Sequence, residues 1–402
     1  MKKVLIFSLA YYPKHVGGAE VAIKEITDRI DERDIEFHMV TLRFDSTLPK
    51  VEKVGNVLVH RIGFTTKNPQ MADLRSFPLH LNKILFQFLA AWKASRLHKK
   101  YKYDAVWAMM AHSCGVPAGI FKTFNTNIPY ILTLQEGDPP EYIERKMALI
   151  KPLFRRGFTK ADIIQTISTF LSKWARDMEF NGPIEIIPNA VNTSHFSQNY
   201  SEEDIKTVKS EIGKKEKDVY IVTTSRLVHK NAVDDVISAL PKLPKNVKFL
   251  IFGTGPDEKT LRALAKKEEV EKRVIFYGQI DRNVMPKYLK ACDIFIRPSR
   301  SEGMGISFVE AFAAELPVIA TQEGGISDFL FDEKRNPNKE ATGWAVDKDS
   351  PEQIRDAVQD IIDHPEKVAK VIKNAKELAF SKYDWNIIAK DMKTKVFNKV
   401  FK

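Results

Sequence analysis

The strongest constraint on this chain is a rhythm: short, continuous apolar runs alternate with stretches of helical spacing. In the first half the runs are Val4–Leu9, Phe37–Thr41, Val57–Arg61, Ala105–Met109, Tyr130–Thr133, Ile163–Thr166 and Ile184–Ile187, with a helix near Ala19–Ile30. Strands separated by helices are joined as parallel βαβ units. Such strands are covered on both faces, so they are apolar throughout and do not alternate. The rhythm restarts at Tyr220–Thr224 and continues through Lys248–Phe252, Val274–Tyr277, Ile294–Arg297 and Val318–Ala320. Helices are expected between them near Val233–Leu240, Asp257–Lys267 and Val284–Ala291, and after them near Pro351–His364 and Glu366–Ser381. The polar stretch Asn189–Ser201 separates the two series. At 402 residues the chain is about twice the length of one domain. The expected architecture is therefore α/β, with two doubly wound Rossmann-like domains facing across a cleft. The first would span 1–193 and the second 194–380; a C-terminal helix over 381–402 can cross back to the first.

Composition narrows the class. Apolar residues make up 44% and charged residues 29%, enough to build two cores and too much for a disordered chain. Two distant cysteines, Cys114 and Cys292, exclude a disulfide framework and fit a reducing cytoplasm. Met1-Lys2-Lys3 and Val4–Ala10 imitate a signal peptide, but Tyr11-Tyr12-Pro13-Lys14 follows where a cleavage site would lie, so the run is read as a buried first strand. No stretch reaches the ~18 apolar residues of a membrane span.

The net charge of +11 is concentrated in residues 1–195, where 27 Lys and Arg face 19 Asp and Glu. That balance suits a phosphorylated acceptor, an anionic membrane surface or nucleic acid, or it serves solubility alone. No nucleic-acid module is present, so nucleic acid is not an expected partner. Residues 67–102 hold Lys67, Arg75, Lys83, Lys93, Arg96, Lys99, Lys100 and Lys102 against one acid, Asp73. Leu81, Ile84, Leu85, Phe88 and Trp92 recur there at helical spacing. The segment reads either as a basic amphipathic helix lying on anionic lipid, or as a sheet-covering helix whose stripe packs in the core. The expected location is the cytoplasm, with the inner face of the cell membrane as an optional contact.

Open parallel sheets bind ligands beyond the C-terminal ends of their strands, so the loops there are the places to search. Gly17-Gly18 follow the first strand and open a helix, which suits a phosphate on a helix N-terminus or a plain tight turn. Arg226 and Lys230, just past a strand, could grip a pyrophosphate or simply form a solvated basic turn. Gly253 and Gly255 would let backbone approach a nucleotide, although a simple turn explains them equally well. Glu302 and Glu310, one in a Gly-bounded loop and one in the following helix, could lie along one ligand, with a carboxylate suited to the vicinal hydroxyls of a ribose. Gly303 and Gly305 would leave N–H groups open to hydroxyls or developing charge. A surface glutamate and a helix-dipole glutamate are the plainer explanation. His112 closely follows a strand and is either structural or directed to the cleft.

Together these segments resemble the family-four retaining glycosyltransferases of GT-B fold (glycosyl transferases group 1). The similarity is strongest over Pro298-Ser299-Arg300-Ser301-Glu302-Gly303-Met304-Gly305-Ile306-Ser307-Phe308-Val309-Glu310-Ala311, the family's E-x7-E region. Leu316–Thr321, Gly324-Gly325-Ile326-Ser327-Asp328 and the interdomain segment Ile187–Asn192 extend it. The resemblance implies a nucleotide-diphosphate sugar as co-substrate, no metal and no separate cofactor. It implies that Glu302 contacts the donor hexose beside the backbone of Gly303, Met304, Gly305, Ile306 and Ser307. Glu310 would hold the ribose, Arg226 and Lys230 the leaving diphosphate, and Gly17 and Gly18 would match the N-domain diphosphate loop, with His112 as the nearest N-domain histidine. On this resemblance the domain 1–193 would bind the acceptor and 194–380 the donor, the acceptor being a glycan, a lipid-linked intermediate or a small molecule. Gln135 stands where the family often has His, and Ala190 and Asn231 where it often has Gly. A 2-epimerase of the same architecture and a non-catalytic sugar-nucleotide-binding module are the alternatives.

Overall fold

The apolar runs become strands at nearly the positions their composition dictates. In the computed structural model, which describes residues 1–14, 16–69 and 73–401, they build two parallel sheets. Part of the basic segment 67–102, namely Gln70 to Ala72 and the side chain of Arg75, lies outside the described residues, as does Lys402. The chain divides into two units, Met1–Asn189 with Trp385–Lys402, and Ala190–Asp384.

The first unit holds β1 (Lys2–Phe7), β2 (Ile35–Leu42), β3 (Val51–Val54), β4 (Val57–Ile62), β5 (Ala105–Met109), β6 (Tyr130–Leu134), β7 (Ile163–Thr166) and β8 (Ile184–Ile186). Their order is β3-β4-β2-β1-β5-β6-β7-β8. All neighbours run parallel except β3 and β4, which form a hairpin. The second unit holds β9 (Val219–Thr224), β10 (Val247–Phe252), β11 (Val274–Gly278), β12 (Ile294–Arg297), β13 (Val318–Ala320) and β14 (Trp344–Ala345), ordered β11-β10-β9-β12-β13-β14 and wholly parallel. In each sheet the order reverses once, between β1 and β5 and between β9 and β12. Loops leaving the two strands of such a pair diverge to opposite faces and open a crevice at their C-terminal ends.

Two strands went unpredicted. β3 is a polar edge strand, Val-Glu-Lys-Val, exposed on alternate residues, and charge on an edge discourages further pairing. β14 is two residues long. Of the two readings of the helix Leu81–Tyr101, the one in which its stripe packs in the core is not met. It is Phe86, Ala90, Ala94 and Leu97 that are buried, while Ile84, Phe88, Leu89 and Trp92 are exposed.

The C-terminal residues complete the first unit's core. A helix over Trp385–Asp391 and a wide turn over Met392–Phe397 bury Met392, Val396 and Phe397 fully. The Phe397 ring meets Trp107 of β5 edge-on at 5.3 Å and Phe37 of β2 at 5.7 Å. Phe397→Ala should therefore cost about 3–5 kcal/mol, read as a lowered urea midpoint for the first unit's transition.

A second test concerns acid. His60 of β4 is buried with its Nε2 unpartnered. Burial, with His38, Lys93 and Lys100 nearby, pushes its imidazole down to about 4. Between the ordinary value of 6.5 and about 4 the unfolded chain therefore holds a proton that the folded chain does not. Stability should fall as pH drops through that window, by at most ~1.4 kcal/mol per pH unit from this group. His60→Leu should show a smaller loss of urea midpoint between pH 7 and pH 5 than the unaltered protein.

Candidate active site

The charged residues singled out in the second half gather at the β9/β12 switch point. Arg226 is exposed on the loop after β9, and Lys230 is half-buried in the short turn His229–Asn231 that follows. The buried side chain of Asn231 shapes this loop by donating from Nδ2 to the Arg226 carbonyl at 2.6 Å. Arg300, on the loop after β12, staples the two loops together. Its backbone N–H donates to the Lys230 carbonyl at 2.8 Å and its Nη1 to the His229 carbonyl at 2.7 Å. The guanidinium is held in turn by Asp234, Asp235 and Asp349. Burial raises the Asp235 carboxyl to about 6 despite the opposing pull of Arg300.

Glu302 lies on the stapled loop and is mostly buried. Its Oε2 accepts from Arg297 Nη2 at 2.7 Å, and its Oε1 accepts the Gly303 N–H at 3.1 Å. The Gly303 N–H is thus engaged by its own neighbour rather than left open. Arg297 ends β12, is buried, donates from Nη1 to Ser307 Oγ at 2.9 Å and lies 4.4 Å from the Phe308 ring centroid. Burial pulls its pKa below the usual guanidinium range, against the opposing fields of Glu302 and Glu310. One fork therefore fixes both the carboxylate and the first turn of the helix Ile306–Ala313. That helix start, introduced by Gly305, offers N–H groups and positive potential to an anion. Glu310, one turn further in, is buried and paired with Arg282 from the loop after β11.

The neighbouring loops brace this arrangement. The Gly325 N–H donates to the Glu302 carbonyl at 3.0 Å, and a Cβ on Gly324 would lie 2.0 Å from that same oxygen. At Gly253 a Cβ would lie 1.9 Å from the Ser225 carbonyl oxygen, and at Gly255 one would lie 2.1 Å from that of Leu227. The Gly253–Gly255 loop is therefore glycine-bearing because it packs against the loop that carries Arg226.

The first unit has its own switch-point loops. Gly17 caps the helix Gly18–Thr27, and Glu20 Oε2 accepts the Gly17 N–H at 2.7 Å. Burial raises the Glu20 pKa, against the hydrogen bond from Gly17. Past β5, His112 sits in the wide turn Ala111–Gly115 with Nδ1 3.3 Å from Glu136 Oε1. Glu136 is buried and also accepts the Ala111 N–H at 2.6 Å and the Gln135 N–H at 2.9 Å. A carboxylate at Nδ1 favours the tautomer that keeps the proton there and leaves Nε2 a lone pair. Gln135 is locked in a reciprocal amide pair with Asn189, 3.1 Å in each direction.

Arg282, Arg297 and Glu136 were missed in the sequence. Arg297 did leave a signal, since a cation ends the otherwise apolar Ile-Phe-Ile-Arg strand just before the glutamate loop.

Two doubly wound parallel sheets in one chain, the second with cation and carboxylate loops at its switch point, are the build of a GT-B glycosyltransferase. The family model described as Glycosyltransferase Family 4 matches residues 16–195, and that described as Glycosyl transferases group 1 matches residues 204–378. The chain belongs to this family and is a glycosyltransferase. An uncharacterized glycosyltransferase of Methanocaldococcus jannaschii is 24% identical over 399 residues, covering 97% of this chain and 96% of that one. The alpha-monoglucosyldiacylglycerol synthase of Acholeplasma laidlawii is 22% identical over 414 residues, covering 98% and 96%. Among solved structures, Anabaena HepE in complex with UDP superposes with a TM-score of 0.76 at 18% identity, covering 99% of this chain and 100% of that one.

If Arg297 positions Glu302, Arg297→Leu should lower the rate of sugar transfer by about 10²-fold. Arg297→Lys, which keeps the charge but loses the fork, should fall between the two in initial-rate assays.

Proposed function

We propose that the protein transfers a hexosyl group from a nucleoside-diphosphate sugar to a hydroxyl acceptor in glycolipid or glycan synthesis, with retention of configuration. The observation that carries this reading is the stapled pair of loops, with Arg226 and Lys230 on one and the Arg297-held Glu302 on the other. The two cations neutralise the departing diphosphate together with the N-terminus of the helix Ile306–Ala313. Glu302 touches the hexose. Glu310, with one oxygen engaged by Arg282, has its second oxygen for the ribose diol.

In the reaction the bond between the anomeric carbon and the diphosphate oxygen breaks, and its electron pair leaves with the diphosphate. The acceptor oxygen bonds to the same face of that carbon, and its proton passes to the departing phosphate. Glu302 then acts as a positioning group for the sugar and need not form a covalent intermediate. UDP-sugars are the first donors to try, because the similar Anabaena protein was solved with UDP. The diacylglycerol named in the Acholeplasma relative makes a lipid hydroxyl the first acceptor class.

A panel of UDP-, GDP- and ADP-sugars, scored for binding and for nucleotide release, tests the reading, and the anomeric proton coupling of the product reports its configuration. Glu310→Ala should weaken donor binding by about 10- to 100-fold. Donor binding unchanged in that variant would remove Glu310 from the ribose, and an inverted product would remove the retaining path.

A further inference from the structure

The helix Leu81–Tyr101 is apolar on two faces, and only one is covered. On the outer face Ile84 is 60% exposed, Trp92 57% and Phe88 48%, with Leu89 beside them. Phe77, in the segment leading into the helix, and Phe64, after β4, are exposed as well. Contiguous apolar surface of this kind marks an interaction site. Next to it lies a pocket of about 250 Å³ walled by Leu42, Ile62, Phe64, Leu85 and Leu89. The polar side chain in its wall, Asn82, is occupied: Nδ2 donates to the Phe64 carbonyl at 2.9 Å, and Oδ1 accepts the Phe64 N–H at 2.7 Å. What the wall offers a guest is hydrocarbon.

Charge decides the occupant. The helix contains no Asp or Glu but holds Lys83, Lys93, Arg96, Lys99 and Lys100. Among the described residues none of these five forms an ion pair. Trp92, Arg96 and Lys99 follow at helical spacing, and the Arg96 guanidinium lies 4.8 Å from the Trp92 ring centroid. One face thus combines exposed aliphatic, Phe and Trp side chains with unpaired cations, Lys83 beside Ile84 and Arg96 and Lys99 beyond Trp92. A helix lying flat on an anionic bilayer needs this combination: apolar and aromatic groups for the hydrocarbon and interface, cations for the phosphates. A second copy fits less well, because a two-fold contact would bring this acid-free, cationic helix against itself.

We propose that this face seats the protein on an anionic lipid bilayer, with the pocket beside Leu89 receiving an acyl chain. Among the described residues no helix is long and apolar enough to cross a membrane, so the contact lies along the surface. The inference uses only residues of the first unit and does not depend on the donor reading.

The test is flotation of the full chain with phosphatidylcholine vesicles, with and without phosphatidylglycerol, at low and high salt. The unaltered protein should float with the anionic vesicles at low salt and be released by high salt. Replacing Arg96, Lys99 and Lys100 by Gln should weaken partition about fivefold per cation. Ile84→Ser with Trp92→Ser should weaken it tenfold or more. Both variants should keep the parent's circular dichroism and melting, because the changed side chains are exposed. Brominated acyl chains should quench the fluorescence of the parent and not of Trp92→Ser. Absence of flotation at low salt, or apolar variants that float like the parent, would overturn the proposal. So would a parent dimer that the apolar variant converts to monomer, which would assign the face to a second copy.

Discussion

The second unit is governed by the place where its strand order turns back. β9 and β12 lie side by side, yet the chain leaves them toward opposite faces of the sheet. Their loops therefore part, and backbone groups and side chains at the strand ends are left without the covering that the rest of the sheet receives. Such a gap would close up or fray unless something held its rims. Arg300 does so, with one backbone N–H and one guanidinium reaching across to two carbonyls of the opposite loop. Three acids hold the guanidinium from behind. The charged residues on the rims owe their placement to that brace.

A second layer of order sits behind the first. Glu302 is held by a buried arginine that also grips Ser307, and the loop after β13 fastens the Glu302 carbonyl. The carboxylate thus costs no reorganisation when a polar ligand arrives, which is the condition for electrostatic preorganisation. The cost is a buried cation with an unpartnered Nε. Stability is given up locally so that one oxygen points in one direction.

Much of this was legible in the sequence, for a physical reason. Parallel strands must be apolar on both faces, so they stand out as runs, and each predicted run coincides with a strand. β3 hid because an exposed edge strand is selected to be polar, and β14 because two residues form no run. Glu302, Glu310, Arg226 and Lys230 drew notice because they follow strand ends, but position left a plainer explanation open for each, and only the family resemblance suggested roles. Arg282 drew none, because its partner Glu310 is 28 residues away. The helix Leu81–Tyr101 shows a different limit. Periodicity revealed an apolar face without saying whether it packs; the face that packs is made largely of alanines, and most of the larger side chains lie outside it. At Gly253 and Gly255 the backbone that comes close is that of the adjoining loop, a packing need that sequence spacing does not show.

The pairing of Gln135 with Asn189 has a chemical consequence. A histidine in that place would change its charge close to neutrality, and with it the field around anything bound nearby. Two amides that satisfy each other do not titrate at all. The pair therefore adds no change of charge at this corner of the first unit over the range in which a cell's pH drifts. Close by, the Nδ1 of His112 faces the buried carboxylate of Glu136, which also accepts the Gln135 N–H.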